Sequence, residues 1–205
     1  MSTVRGADGK KRCAWPNSDD MRAYHDKEWG TPKRDDRRHF QFLVLESAQS
    51  GLSWSLVWSK REGYRKAFAE WDAKKVARFD TRKIERMLLD PGVIRNRLKI
   101  TSAVRNARAF LALQREFGSF DAYLWRYAPK RRPAPRDLSD LPARSAESDA
   151  VAKDLKARGF AFLGPIVMYS HLQAVGVVND HVVGCFRRAE VERLRADRAR
   201  RERAA

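Results

Sequence analysis

The sequence predicts an all-α fold. Two observations carry this: apolar residues recur at helical spacing along most of the chain, and no run alternates as a half-buried strand would. No internal repeat divides it. The first clear helix begins near Phe40. Leu43, Val44 and Ala48 mark one face, and Phe42 and Leu45 cover the other side, so burial nearly all round is expected. A second helical stretch opens at Val57 and Trp58. It continues through Tyr64, Ala67, Phe68 and Trp71, spaced as i, i+3, i+4 and i+7. Short helices are expected over 76–79 and 84–89, followed by the Pro-Gly turn of "DPGVIRNRLKI". A longer helix over 100–117 carries Val104, Ala107 and Leu111 on one stripe, and a short one holds Phe120, Tyr123 and Leu124. The Pro- and charge-rich stretch 128–149 reads as an exposed connection. The next helix runs to about Arg158 and stops at Gly159. Pro165 suits the first turn of another, reaching Val177, and "NDHVVGC" is expected to open a further helical turn. The tail from Arg187 has eight Arg, four acidic residues and a weak apolar stripe of Val191 and Leu194, which reads as a solvated helix or frayed end.

Composition narrows the function classes. The 205 residues allow one ordinary domain, and 43% hydrophobic content supplies a sizeable core. With 43 Lys+Arg against 26 Asp+Glu, the formal net charge is +17, which favours a polyanionic partner, nucleic acid before an anionic membrane. No apolar run approaches the ~20 residues that cross a bilayer, and the first residues lack a secretory apolar core. A cytoplasmic protein without a membrane partner is the expectation. The two cysteines stand at opposite ends, which in a reducing compartment argues for metal binding or plain burial over a disulfide.

Cys13 and His25, with eleven residues between them, and His181 and Cys185, four apart, make a Cys2His2 set. Four such ligands suit one closed tetrahedral Zn²⁺ that clips the N-terminal segment to the C-terminal one. On a helix, His181 and Cys185 would share a face. Taken singly, each histidine reads as a hydrogen-bonded core residue and each cysteine as a small buried hydrophobe. Only the combination brings zinc level with those readings. Of the other histidines, His39 is expected to be exposed and His171 to be a satisfied helix residue. Four protein ligands leave no open position for a catalytic water, and no HExxH arrangement occurs.

Trp15, Tyr24, Trp29 and Trp54 fall near Cys13, His25 and Glu46. An enzyme acting on a nucleobase must flip it from the stack, sandwich it between aromatic faces and read its edge with polar groups. Glu46, a carboxylate in an otherwise apolar helix, could accept from an exocyclic amine and favour a cationic base. The competing reading makes the aromatics core filler and pairs Glu46 with an Arg. The Pro-Gly turn could present backbone N–H groups at Gly92 to a phosphate, with Arg95, Arg97 and Lys99 close by. It could equally be an ordinary turn on a basic surface.

Together, "RCAWPNSDDMRAYHDKEWGTP", "LESAQSGLSW", "REGYRKAF", "GVIRNRLKI" with "NARAFL", and "RGFAFLGPIVMYSHLQAVGVVNDHVVGC" resemble the bacterial 3-methyladenine DNA glycosylase I (constitutive type) family. The resemblance spans about residues 12–186. It implies a helix-hairpin-helix DNA glycosylase-like fold with a zinc site joining the terminal segments. It also implies hydrolysis of the N-glycosidic bond of 3-methyladenine in alkylated double-stranded DNA, leaving an abasic site. Carried over residue by residue, one structural Zn²⁺ is held by Cys13, His25, His181 and Cys185. Glu46 contacts the flipped base, Trp54 stacks on it, and Tyr24, Trp15 and Ser170 line the pocket. Leu52, between Gly51 and Ser53, fills the gap in the duplex. The hairpin with Gly92, Arg95, Arg97 and Lys99 grips phosphates. No Schiff-base lysine is suggested, so a monofunctional glycosylase without lyase activity is expected, monomeric and cytoplasmic at the nucleoid. Met21 stands where the family commonly has an aromatic, which admits a shifted alkyl-base specificity. A zinc-containing protein that binds damaged DNA without catalysis is the remaining alternative. The expected division is a flexible N-terminus over 1–11, a glycosylase domain over 12–186, and a basic helical or disordered tail over 187–205.

Overall fold

A computed structural model describes residues 2–129 and 132–204, with side chains to residue 200. Among these, eleven α-helices follow a short β-hairpin. They are α1 Asp19–Lys27, α2 Asp36–Gln49, α3 Trp54–Ser59, α4 Arg61–Ala67, α5 Ala73–Val76, α6 Thr81–Leu89, α7 Arg97–Phe117, α8 Phe120–Trp125, α9 Ala146–Ala157, α10 Pro165–Ala174 and α11 Phe186–Ala204. The hairpin pairs β1, Thr3–Arg5, with β2, Lys11–Cys13, antiparallel, with Thr3 opposite Cys13. The sequence shows no strand pattern here because three-residue strands are too short for alternation to register. The stretch expected as a flexible N-terminus thus contains β1, and the pairing leads into Cys13.

Helix α2 is the centre of the fold. Every residue from His39 to Ala48 is buried, and the helix packs against α3, α7, α8 and α10. Asp35 caps its start by accepting from Arg37 N–H. Asp36, one residue on, accepts from the Phe120 and Asp121 N–H groups at 2.8 and 2.9 Å, tying the starts of α2 and α8 together. His39 corrects an expectation. It is fully buried, with Nε2 3.0 Å from an Asp121 carboxylate oxygen. Asp121 lies 82 positions away in sequence, so local periodicity carries no sign of this partner. His171 on α10 is also fully buried, but neither ring nitrogen has a partner among the described residues, and burial lowers its pKa well below the ordinary value. It is a neutral core residue rather than a satisfied one.

The second predicted helical stretch is two helices, α3 and α4, followed by a tight turn over Ala69–Trp71. All three residues of that turn have positive φ. Gly63 on α4 lies against the Pro-Gly turn between α6 and α7: a Cβ there would stand 2.2 Å from the Gly92 carbonyl oxygen. The long helix α7 starts at Arg97, three residues before the expected start, because the Asn96 side chain caps it by accepting from Lys99 N–H. It ends at Gly118, φ 80°. Helices α9 and α10 pack on each other as a hairpin, and Ser145 and Ser148 cap α9 reciprocally.

The expected helical turn over 179–185 is a loop, and α11 begins only at Phe186. Gly184, at φ 87°, takes a left-handed conformation inside it. Helix α11 is not a free tail. Val191 is fully buried, and the Arg198 guanidinium lies 3.9 Å above the Trp125 ring while pairing with Asp121 at 3.0 Å.

Candidate functional site

The loop before α11 faces the hairpin and α1. It brings His181 and Cys185 to Cys13 at the end of β2 and His25 in the last turn of α1. All four are buried, and their ligand atoms lie within 4.8 Å of one another. Cys185 Sγ is 3.5 Å from His25 Nε2 and from His181 Nδ1, and Cys13 Sγ is 3.7 Å from His181 Nδ1. A tetrahedral ion with N and S ligands separates its donors by roughly 3.3–3.8 Å, so the set fits a metal ion.

The outer contacts orient the rings. His25 Nδ1 meets the Asp26 carboxylate at 2.8 Å, and Arg12 holds that carboxylate from the other side. His181 Nε2 is 3.2 Å from the Trp29 carbonyl oxygen. Each imidazole therefore spends one nitrogen on an oxygen acceptor and aims the other at the sulfurs, as a metal-bound histidine does. Hydrogen bonding from Cys13 holds the Cys185 thiol far below its ordinary range, with His181 and His25 adding to the effect against burial. Cys185, and then burial, push Cys13 up. Gly30 permits the packing: its φ is 74°, and a Cβ would come 3.0 Å from His181 Nε2. The i, i+4 spacing of His181 and Cys185 works here through a tight turn, with Cys185 N–H donating to Val182 at 3.0 Å, and not through a helix face.

Beside the Cys2His2 cluster is a cavity of about 310 Å³. Trp15 follows β2, Tyr24 sits on α1, Trp29 just beyond it, and Trp54 opens α3; these four supply aromatic surfaces. Glu46 and Gln49 come from α2, Ser170 and Gln173 from α10, and Leu138 and Leu141 from the 128–149 connection. Tyr24 and Trp54 have centroids 5.6 Å apart, and Trp58 backs Tyr24 at 4.3 Å. The indole nitrogens of Trp15 and Trp54 have no hydrogen-bond partner among the described residues.

Glu46 is 4% exposed and has no hydrogen bond or ion pair among the described residues. Burial alone pushes its carboxyl up to about 8. Burial, reinforced by Glu46, also keeps the Tyr24 phenol protonated. The apolar helix thus holds a carboxylate with no internal partner, facing a cavity walled by aromatic rings. The competing reading, an Arg partner for Glu46, finds no support among the described residues, where no guanidinium pairs with its carboxyl.

Tyr24, Trp15, Trp54, Ser170 and Glu46 line one cavity. Met21 is buried in the core and is not among the residues that line the cavity. Gln49, Gln173, Leu138 and Leu141 went unnoticed in the sequence. The glutamines were legible in principle, each lying three residues after a chosen residue on one helix face, Glu46 and Ser170. The leucines had no signal, since their Pro-rich surroundings read as an exposed connection.

Gly51, φ 77°, turns the chain after α2, Leu52 is 37% exposed, and Ser53 caps α3 by accepting from Leu56 N–H. Lys99 supports this turn from below, its ammonium donating to the Ala48 and Ser50 carbonyls at 2.8 and 2.6 Å. Its charge is thus spent on the carbonyl end of α2. Gly92 N–H donates to Asp90 at 2.7 Å, and Arg97 forms a bidentate pair with Glu85. Of the hairpin's four expected phosphate groups, only the Arg95 side chain is exposed without such an internal engagement.

The family described as methyladenine glycosylase matches residues 15–188. The chain is 42% identical over 178 residues to DNA-3-methyladenine glycosylase 1 of Escherichia coli (strain K12), covering 85% of this chain and 95% of that protein. It is 38% identical over 178 residues to the Haemophilus influenzae DNA-3-methyladenine glycosylase, covering 85% and 96%. A solved tyrosine-to-phenylalanine variant of a 3-methyladenine DNA glycosylase I, in complex with 3-methyladenine, superposes with a TM-score of 0.81 at 32% identity, covering 84% and 94%.

Proposed function

Because the chain belongs to the methyladenine glycosylase family, we propose that it excises 3-methyladenine from alkylated double-stranded DNA by hydrolysing the N-glycosidic bond and leaves an abasic site. The observation that carries this reading is the unpartnered, buried Glu46 facing an aromatic cavity. 3-Methyladenine in DNA is cationic and already a good leaving group. The protein has to flip it, stack it and stabilise the positive charge that develops on the sugar. Trp54, Tyr24 and Trp15 supply faces for a planar ring. Ionised Glu46 accepts from the base's amine and offsets its charge; a water at the sugar can be oriented by the same carboxylate. Ser170, Gln49 and Gln173 offer neutral donors and acceptors for the edges.

Leu52, at the Gly51–Ser53 tip, fills the gap left by the flipped base. Arg95 contacts phosphate, while Gly92, Arg97 and Lys99 shape the surface through their internal bonds. The α9–α10 hairpin adds to it: α10 begins at Gly164 without a side-chain cap, and Arg105, Lys153 and Lys156 stand nearby. Zn²⁺ is the ion that a buried Cys2His2 set suits, and four protein ligands make its part structural. Cys13, His25, His181 and Cys185 would hold it and clip the hairpin and α1 to the loop before α11. A monomer serves this chemistry, at the nucleoid in the cytoplasm.

Purified protein incubated with methylated duplex DNA is expected to release 3-methyladenine and leave intact strands carrying alkali-labile abasic sites. Affinity for the damaged duplex with no released base would leave a binding protein and overturn the proposal.

A further inference from the structure

The segment 132–142 runs outside the helices except for one short turn at Leu138–Asp140, yet it is firmly tied. Arg132 Nε meets the buried Asp180 carboxylate at 3.2 Å, and Arg132 also donates to the Tyr169 hydroxyl. Val183 N–H donates to the Pro135 carbonyl at 2.8 Å. Ser2 at the hairpin donates to Asp137. The Arg136 and Asp137 N–H groups close on the Asp140 carboxylate at 2.8 and 2.9 Å. The segment is a strap, fastened at one end to the loop that carries His181 and Cys185 and at the other to the N-terminal hairpin. It delivers Leu138 and Leu141, both half-buried, to the wall of the base cavity.

We propose that Leu138 and Leu141 set the upper size of the alkyl group on the base that this cavity accepts; the inference rests on the glycosylase reading above. The rings cover the faces of a planar base, and Glu46 with the amide and hydroxyl side chains serves its polar edges. Among the described residues, these leucines are the aliphatic part of the lining. An alkyl substituent is the apolar edge of such a base, and it belongs against aliphatic carbon. Asp180 locks the two walls together: the carboxylate that holds Arg132 also accepts from Gln173 at 2.8 Å. The strap therefore cannot back away independently of the polar wall. In a fixed apolar wall, one methylene discriminates by about 10- to 200-fold.

The test compares the parent with Leu138→Ala, Leu141→Ala and Leu141→Phe on methylated and on ethylated duplex DNA. The rates of release of 3-methyladenine and 3-ethyladenine are measured in single turnover. The alanine variants are expected to raise the ethyl-to-methyl rate ratio about tenfold, whatever the change in either rate alone, and Leu141→Phe to lower it. If an alanine variant does not fold by far-UV circular dichroism, Leu138→Val and Leu141→Val, each a methylene smaller, take its place with a smaller rise. A ratio unchanged in folded variants, or an equal fall for both bases, overturns the role of the leucines. A parent that releases neither base refutes the glycosylase reading itself and is told apart on that ground.

Discussion

At the scale of single residues, Glu46 sets stability against function. Its carboxyl is raised by burial from 4.5 to about 8, so the folded state holds a proton that the unfolded state releases between those pH values. Stability is therefore lost as pH rises from about 5 through 8. Glu46→Gln removes the titration, and the variant is expected to gain up to a few kcal/mol on the parent across that window. Urea melts at pH 5 and pH 8 check this, and parallel pH profiles would contradict the assignment. Activity has the opposite sign. A cationic base is held by the ionised carboxylate, so kcat/KM is expected to rise with pH up to about 8, and Glu46→Gln to lose both the rise and most of the base release.

At the scale of elements, two close approaches decide how helices meet the site. Gly63 on α4 touches the α6–α7 turn at Gly92, where a Cβ would be 2.2 Å from the carbonyl oxygen. Gly63→Ala is expected to cost about 1–3 kcal/mol through overpacking and backbone shift. Thermal melts would show it, and an unchanged Tm would argue that the turn yields freely. Lys99 joins α7 to the end of α2 through the Ala48 and Ser50 carbonyls, beneath the Leu52 tip. Lys99→Met is expected to loosen that tip and weaken binding to abasic duplex by several-fold, with less effect on global stability. Its readout is affinity for a duplex with an abasic site against the melting temperature, and a loss confined to melting would leave Lys99 as mere packing.

At the scale of the whole molecule, the chain ends are held by chemistry far from either in sequence. The Cys2His2 cluster draws β2, α1 and the 178–185 loop together. Purified protein is expected to carry about one zinc per chain, absent from Cys13→Ala, whose Tm falls by several degrees. Elemental analysis beside a melt tests both halves. Ending the chain after residue 188 would strip Val191 and Arg198 from the core and leave the Asp121 carboxylate without its guanidinium. A loss of about 3 kcal/mol or more is expected, seen as a lower urea midpoint; an unaltered midpoint would mean that α11 docks without stabilising. The net charge of +17 predicts DNA affinity that falls linearly with the logarithm of salt concentration.

The helical class is legible in the amino-acid pattern, because apolar spacing survives in any tertiary setting. The sequence also marked Glu46 in an apolar helix and the Cys2His2 set as anomalies of composition that a single chain displays, while leaving their competing readings open. The end of α7 and the start of α10 fall where the sequence pattern puts them. The remaining features come from long-range contacts. The β1–β2 hairpin is too short to have a period, and His181 and Cys185 meet their partners through a loop turn. His39 is buried by a partner 82 residues away, and α11 docks through Val191 and Arg198. The strap leucines reach the cavity only because Asp180 and Val183 hold their segment. Local pattern records which face of an element seeks burial; it holds no record of which distant element will cover that face, and each of these features depends on such a partner.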